Sequence, residues 1–394
     1  MVTRTLQAHV LDLATRHPAI TVTGPRQSGK TTLCRAAFPN KAYVSLEPPD
    51  EREFALRDPR GFLARFPDGA IIDELQRAPE LLSYLQPIID AGPRAGLFVL
   101  TGSQNFGLVA SLGQSLAGRT AIVELLPLAL DEVRRFPNPP AGLDAAIWTG
   151  GYPRIFDRGL PPQEWLAAYV ATYVERDVRQ VLNVGDLLAF QTFLRMCAGR
   201  AGQLLNLSSL GAECGVSHAT ARAWLAVLEA SYIAFRLPPL HANLDKRLVK
   251  TPKLYFYDTG LLCYLLGIRE AAQLAVHPLR GPVFENWAIA EVLKHHRNRG
   301  LIPALHFYRD RKGGEVDLII DRGADRLAVE IKATMTPSPD VFRGPDRVAR
   351  ALSSADDRQT RVAVVYAGLE SQTRSAGEIV SWSDAGTFAW SGRP

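Results

Sequence analysis

The chain has 394 residues, 47% hydrophobic and 22% charged, with a formal net charge of +5 and a pI of about 9.0. That balance fits a soluble globular protein of two or three domains and mildly favours anionic partners such as nucleic acid. No apolar run reaches the ~18–20 residues that cross a bilayer, so no membrane partner is expected, and four scattered cysteines without a C-x-x-C pair predict reduced thiols in a cytoplasmic protein.

Leu6, Val10, Leu11 and Leu13 recur at helical spacing and predict an N-terminal helix packed on a sheet, without the apolar core of a signal peptide. Ile20 to Thr23 predict a strand that stops at Gly24. From there Gly24, Pro25, Arg26, Gln27, Ser28, Gly29, Lys30 and Thr31 fit G-x-x-x-x-G-K-[ST] at every fixed position, and Thr32 continues into a predicted helix. Such a loop turns its N–H groups inward on an anion, and the helix N-terminus adds positive charge. The expected ligand is ATP: Lys30 reaches the β- and γ-phosphates, and the Thr31 hydroxyl sits on Mg²⁺.

Ala42 to Leu46 read as a strand, Asp50 to Arg57 as a helix, and Pro67-Asp68-Gly69 as a turn. Ala70 to Glu74 form an apolar strand closed by two carboxylates. Asp73 is expected to hold Mg²⁺, and Glu74 to orient and deprotonate the attacking water. Leu81 to Ile89 predict a helix kinked at Pro87. Gly96 to Ser103 predict a strand lying between those that carry Lys30 and Asp73, which places Ser103 or Gln104 either near the γ-phosphate or in a simple turn. Arg119, before a last strand from Ala121 to Leu125, is a candidate arginine finger for its own or a neighbouring site.

The segments GPRQSGKTT, AIIDELQ, VLTGSQ and SLAGR…ELLPLALDE, followed by GGYP, TYVERDV and PKLYFYDTGLL, resemble AAA-type ATPases of a widespread prokaryotic group. The resemblance covers most of the chain. It implies a P-loop core, a winged-helix middle and a C-terminal domain like the PD-(D/E)XK nucleases.

Pro137 to Gly142 break the chain after the first domain. Glu164 to Val181 read as a helix with aromatic residues at core spacing; Arg176 within it either completes an ATP site in trans or joins a surface ion-pair network. Leu207 to Cys214, a Gly215 turn and His218 to Glu229 have the dimensions of a helix-turn-helix, capped by Ser217, with a wing strand from Tyr232 to Leu237. Ser217, His218, Thr220 and Arg222 would face a DNA groove, unless the fold is a packing module. Asp245 to Lys253 carry four cations against one acid, a footprint for phosphates or a solvated loop.

From Gly281 a helix bearing Glu285 precedes strands at His306 to Arg309, Glu315 to Ile320 and Leu327 to Lys332. Asp317, then twelve residues, then Glu330-x-Lys332 match D…(D/E)-x-K. Paired carboxylates repel unless a cation joins them, so Asp317 and Glu330 predict an Mg²⁺ or Mn²⁺ site with Lys332 beside it. Glu285 resembles the extra acidic residue that many such nucleases supply.

The expected fold is therefore α/β: a P-loop NTPase parallel sheet at 1–136, a helical connector at 143–180, a winged helix at 181–255 and a restriction-endonuclease-like α/β domain at 256–394. The expected function is an Mg-dependent ATPase coupled to a DNA-facing, metal-dependent nuclease module. The alternative is a nucleotide-controlled switch whose nuclease-like domain is inactive and recognises DNA or protein, possible as a homo-oligomer.

Overall fold

Strand β1, Ala19–Thr23, is buried at all five positions, as a strand covered on both faces must be. The computed structural model describes residues 2–92, 94–102, 116–174, 186–240, 249–310 and 313–392. It divides into a unit of Met1–Pro127 with Ala230–Tyr232 and Arg297–Leu301, and a second of Leu128–Glu229, Ile233–His296 and Ile302–Pro394. The helical middle and the C-terminal sheet thus fall in the same unit.

In the first unit β1 belongs to a five-stranded sheet with β2 (Ala42–Ser45), β3 (Ala70–Asp73), β4 (Phe98–Thr101) and β5 (Thr120–Glu124), in the order β2-β3-β4-β1-β5. All pairings are parallel. Strand β4 lies between β1 and β3, as expected for a parallel nucleotide-binding sheet. Period-two alternation splits the core between the two faces. Ile20, Val22, Ile71 and Val99 pack with Leu6, Val10 and Leu13 of helix α1 (Leu6–Ala14), while Leu11 stays exposed. Ile72 and Leu100 face the opposite way, onto Phe62, Leu82 and Leu85. Each such side chain contributes about 1.5–3 kcal/mol through burial. Helix α2 (Lys30–Ala37) follows the glycine loop directly. Parallel strands bring the C-terminal ends of β1, β3 and β4 together, and that edge is where such sheets bind ligands.

In the second unit, the helices Leu207–Glu213 and His218–Ala230 are joined by a turn in which Gly215 has φ 68°. The Ser217 hydroxyl accepts the Thr220 N–H at 3.1 Å, which is the predicted cap. Strands β6 (Ala234–Leu237) and β7 (Lys253–Phe256) pair antiparallel. Helix Arg280–Asn298 leads into β8 (Leu305–Arg309), β9 (Glu315–Asp321) and β10 (Arg326–Lys332). Helix Arg343–Asp356 then returns the chain to β11 (Thr360–Tyr366), parallel to β10. With β12 (Gln372–Arg374) and β13 (Gly377–Ser381) these strands make a mixed sheet, ordered β12-β13-β11-β10-β9-β8.

The helix Arg343–Asp356 is absent from the sequence reading. Its apolar stripe is only Pro345, Val348, Ala349 and Leu352, and arginine, aspartate and serine around it hide the period. Among the described residues no helix is long and apolar enough to cross a membrane, and the four cysteines form no disulfide.

Candidate functional site

The loop after β1 takes its shape from backbone that only small or locally bonded residues adopt readily. Gly24 has φ 142° and Gly29 φ 92°. A Cβ at Gly24 would fall against the Leu125 carbonyl oxygen, so the loop lies flush on the strand end. Gly24, Pro25 and Ser28 are buried, Arg26 is half-buried, and Gln27 (φ 62°) and Thr32 are exposed. The guanidinium of Arg4, which the sequence reading passed over, donates to the Ser28 carbonyl at 2.7 Å and the Leu126 carbonyl at 2.8 Å. The Ser28 hydroxyl is fully buried and has no hydrogen-bond partner among the described residues.

Lys30, 6% exposed, bends its ammonium over its own loop and donates to the carbonyls of Gly24 (3.1 Å) and Pro25 (2.8 Å). Burial lowers its pKa to about 8, against the pull of Glu74 and Asp73. Among the described residues the ammonium is held only by neutral carbonyls, and the same loop carries the unpartnered Ser28 hydroxyl. Together with the first-turn N–H groups of α2, which no helical carbonyl can satisfy, they fit a polyphosphate.

Asp73 ends β3 inside a ring of hydroxyls. Thr31 donates to both carboxylate oxygens at 3.0 Å, and Tyr43 to Oδ2 at 3.0 Å. Thr101, at the end of β4, donates to Oδ1. The same Thr101 oxygen accepts the Glu74 N–H at 3.3 Å. Glu74 is left-handed at φ 59° and ψ 43°, a strained state for a non-glycine residue, and the Gln76 amide donates to its carboxylate. Hydroxyl and carboxylate oxygens are the hard donors that Mg²⁺ selects, so Thr31 and Asp73 fit that ion. Thr101, to which the sequence analysis gives no role, makes the contact with Asp73. Ser103, Gln104 and Arg176 lie outside the described residues.

The structure places Arg119 away from its own phosphate loop. It immediately precedes β5, where its carbonyl accepts the Ala19 N–H at 3.2 Å, whereas the phosphate loop follows β1. Parallel strands put those positions at opposite edges, about 16 Å of strand apart. Arg119 instead grips Asp90 through two bonds of 2.6 and 2.9 Å, so it is no arginine finger for its own loop.

The second unit brings Glu285, Asp317, Glu330 and Lys332 together with Lys253, Tyr255 and Glu315, which the sequence analysis does not place at this site. Lys332 donates to Glu330 at 2.5 Å, and Asp317 accepts the Ile331 N–H at 2.8 Å. Burial and then the Glu285 charge push Asp317 well above the usual carboxylate range; burial and then Asp317 do the same to Glu330. Tyr255 donates to Glu285 at 2.5 Å. Lys253, predicted as part of a basic surface, is 3% exposed and lies 3.3 Å from Glu285 and 3.0 Å from Glu315. The oxygen donors suit Mg²⁺ or Mn²⁺. Their arrangement does not: among the described residues no three Asp, Glu, His or Cys side chains form a metal cage, and an ammonium stands among the carboxylates.

A groove of about 800 Å³ runs beside the helix His218–Ala230, lined by Asn206, His218, Arg222, Glu229, Arg236 and Thr251. Arg236 is held by Glu229 at 2.5 and 3.0 Å. The positions 245–248 of the basic stretch lie outside the described residues. The GGYP and YDTG motifs lock onto each other: buried Asp258 accepts N–H groups of Gly151 (2.7 Å) and Leu261 (2.8 Å), and a Cβ on Gly260 would strike the Thr149 carbonyl.

Residues 16–134 match the family described as AAA domain, and residues 141–272 and 280–384 match two domains of unknown function (DUF8612 and DUF4143). The chain is 32% identical over 374 residues to Uncharacterized protein Rv2008c of Mycobacterium tuberculosis and to Uncharacterized protein Mb2031c of Mycobacterium bovis, covering 90% of this chain and 77% of each relative. It belongs to their family. Among solved structures, the Walker-type ATPase PABY2304 of Pyrococcus abyssi is 16% identical, with 66% of this chain and 94% of that chain covered at a TM-score of 0.46. The RuvB Holliday junction branch migration motor of Thermotoga maritima is 19% identical, with coverages of 60% and 90% and a TM-score of 0.32. The loop, Asp73 and Thr101 all fall in the AAA segment. The carboxylate cluster draws on both later segments, because Lys253 and Tyr255 precede residue 280.

Proposed function

We propose that this chain is an Mg²⁺-dependent ATPase whose nucleotide cycle serves a DNA-facing second unit. The observation that carries the first half is the Thr31–Asp73–Thr101 hydrogen-bond chain beside Lys30. Loop N–H groups and Lys30 bind the phosphates, and Thr31 and Asp73 hold Mg²⁺. Bound between them, Mg²⁺ would supply positive charge to the phosphates. Glu74 takes a proton from the attacking water, and Thr101 fixes the backbone on which Asp73 and Glu74 both stand. The AAA-domain match supports this reading.

The DNA-facing half rests on the helix-turn-helix and strand pair, read as a winged helix, with Arg222 on its second helix and a groove alongside. The helix–strand–strand–strand–helix–strand order carrying Glu285, Asp317, Glu330 and Lys332 supports a PD-(D/E)XK-like domain. Its cleavage is a separate matter, and Lys253 favours the second reading, a switch in which this domain recognises DNA or protein without cutting.

Two assays on the purified full chain separate these readings. ATP turnover is measured with and without duplex DNA; stimulation by DNA supports the coupled reading, and indifference to DNA at low salt removes it. Plasmid nicking with Mg²⁺ or Mn²⁺ is compared among wild type, Asp317→Ala, Glu330→Ala and Lys332→Ala. Nicking lost in all three variants supports a nuclease, and its absence in wild type leaves the switch.

A further inference from the structure

Lys253 opens β7, whose four residues are all buried. A buried ammonium costs several kcal/mol unless anions surround it, and this one has them. Glu315 lies 3.0 Å away and Glu285 3.3 Å, and the Phe307 ring centroid is 5.4 Å from Nζ. Lys332 cannot stand in for it, since its own ammonium is on Glu330 at 2.5 Å. Tyr255, two residues on and so on the same face of β7, donates to the Glu285 oxygen that Lys253 approaches. Strand β7 thus delivers one cation and one hydroxyl to carboxylates carried by β9 and the helix Arg280–Asn298.

We propose that Lys253 is the resident cation of this cluster, standing where a divalent metal ion would be held, and that a metal ion binds there only by displacing its ammonium. The inference rests on reading Glu285, Asp317 and Glu330 as a metal-type carboxylate cluster, and not on any cleavage by it. Glu285 and Glu315 lie against the Lys253 ammonium and Glu330 against that of Lys332, while Asp317 takes the Ile331 N–H beside them. Removing one ammonium leaves room and unbalanced negative charge for a dication. Arg309, 3.6 Å from Glu315, is 44% exposed in its side chain and lies at the rim, so it does not replace the buried charge.

The test is Mn²⁺ titration of the purified chain by calorimetry, for wild type, Lys253→Met, Lys253→Arg and the double variant Lys253→Met/Asp317→Asn. Methionine keeps the aliphatic stem and loses the charge. Lys253→Met is expected to bind Mn²⁺ at least about tenfold more tightly than wild type, with Lys253→Arg near wild type and the gain abolished by Asp317→Asn. Mn²⁺ is also expected to raise the melting temperature of Lys253→Met more than that of wild type, or to be required for it to fold. Equal or weaker binding by Lys253→Met overturns the proposal, as does an equal gain in Lys253→Arg or a Lys253→Met chain that stays unfolded with Mn²⁺. Nicking on the same samples reports on cleavage alone: tighter metal binding without nicking removes the nuclease and leaves Lys253 in this role.

Discussion

Thr31 and Asp73 stand 42 residues apart in sequence, yet the Thr31 hydroxyl donates to both oxygens of the Asp73 carboxylate at 3.0 Å. The contact joins the first turn of the helix after β1 to the end of β3. Strand β4 lies between those two strands, and its last residue, Thr101, closes the arrangement from the middle.

Thr101→Val keeps the side chain's volume and removes its polar roles. The Asp73 carboxylate loses a donor, and the Glu74 N–H loses its acceptor. ATP turnover is expected to fall about 10–100-fold with KM within a few-fold, because a positioning residue acts mainly in the transition state. Stability falls by about 1–3 kcal/mol for the unsatisfied amide. Thr101→Ser is expected to recover most of the rate. Steady-state kinetics of the pair, with wild-type turnover by Thr101→Val, would remove Thr101 from the site.

Lys30 is expected to tie nucleotide affinity to pH. Its pKa is lowered from an ordinary 10.5 to about 8, mainly by burial. Between those values the unfolded chain binds more protons than the folded one, so this residue's contribution to stability rises with pH across that window. Phosphate beside the ammonium favours the charged form. ATP binding is therefore expected to take up a proton near pH 9 and almost none at pH 7, with affinity declining above about pH 8. Calorimetry in buffers of differing ionisation enthalpy measures that uptake; none at pH 9 would contradict the assignment.

The sequence exposes local chemistry better than register. The loop from Gly24 to Thr31, the acidic end of β3 and the D…E-x-K strands were legible because each is a short pattern on one element. Thr101 was not, since its role depends on which strand end lies beside Asp73. Lys253 looked like one more cation in a basic run. The clue was that Leu254, Tyr255 and Phe256 form a fully apolar run, which predicts a strand buried on both faces and so a buried lysine. Arg119's place also depends on topology: it precedes a parallel strand, the phosphate loop follows one, and the two belong to opposite edges of the sheet.

Asp258 holds the GGYP and YDTG motifs together. Burial raises its pKa, and the Lys294 charge followed by the Gly151 and Leu261 N–H groups oppose that rise. Asp258→Ala removes a helix cap and orphans a second buried donor, a loss of about 2–4 kcal/mol. Asp258→Asn is expected to lose less, retaining one acceptor. Urea unfolding followed by tryptophan fluorescence measures both, and an unchanged midpoint for alanine would show the lock to be dispensable.

Arg119→Ala is expected to leave ATP turnover of dilute protein within about twofold, since this side chain pairs with Asp90 at the far edge of the sheet. A loss like that of a removed arginine finger, about 10³-fold or more, would mean that Arg119 reaches the phosphates of another copy.

The most direct test of the central claim is Mg²⁺-dependent ATP hydrolysis by Glu74→Gln, with ATP binding measured on the same sample. The amide preserves the shape of the side chain but cannot accept the water's proton. ATP affinity is expected to stay within a few-fold of wild type while turnover falls about 10²–10⁴-fold. Wild-type turnover by Glu74→Gln would contradict the assignment of Glu74 as the base, and no hydrolysis by the wild-type chain would contradict the ATPase itself.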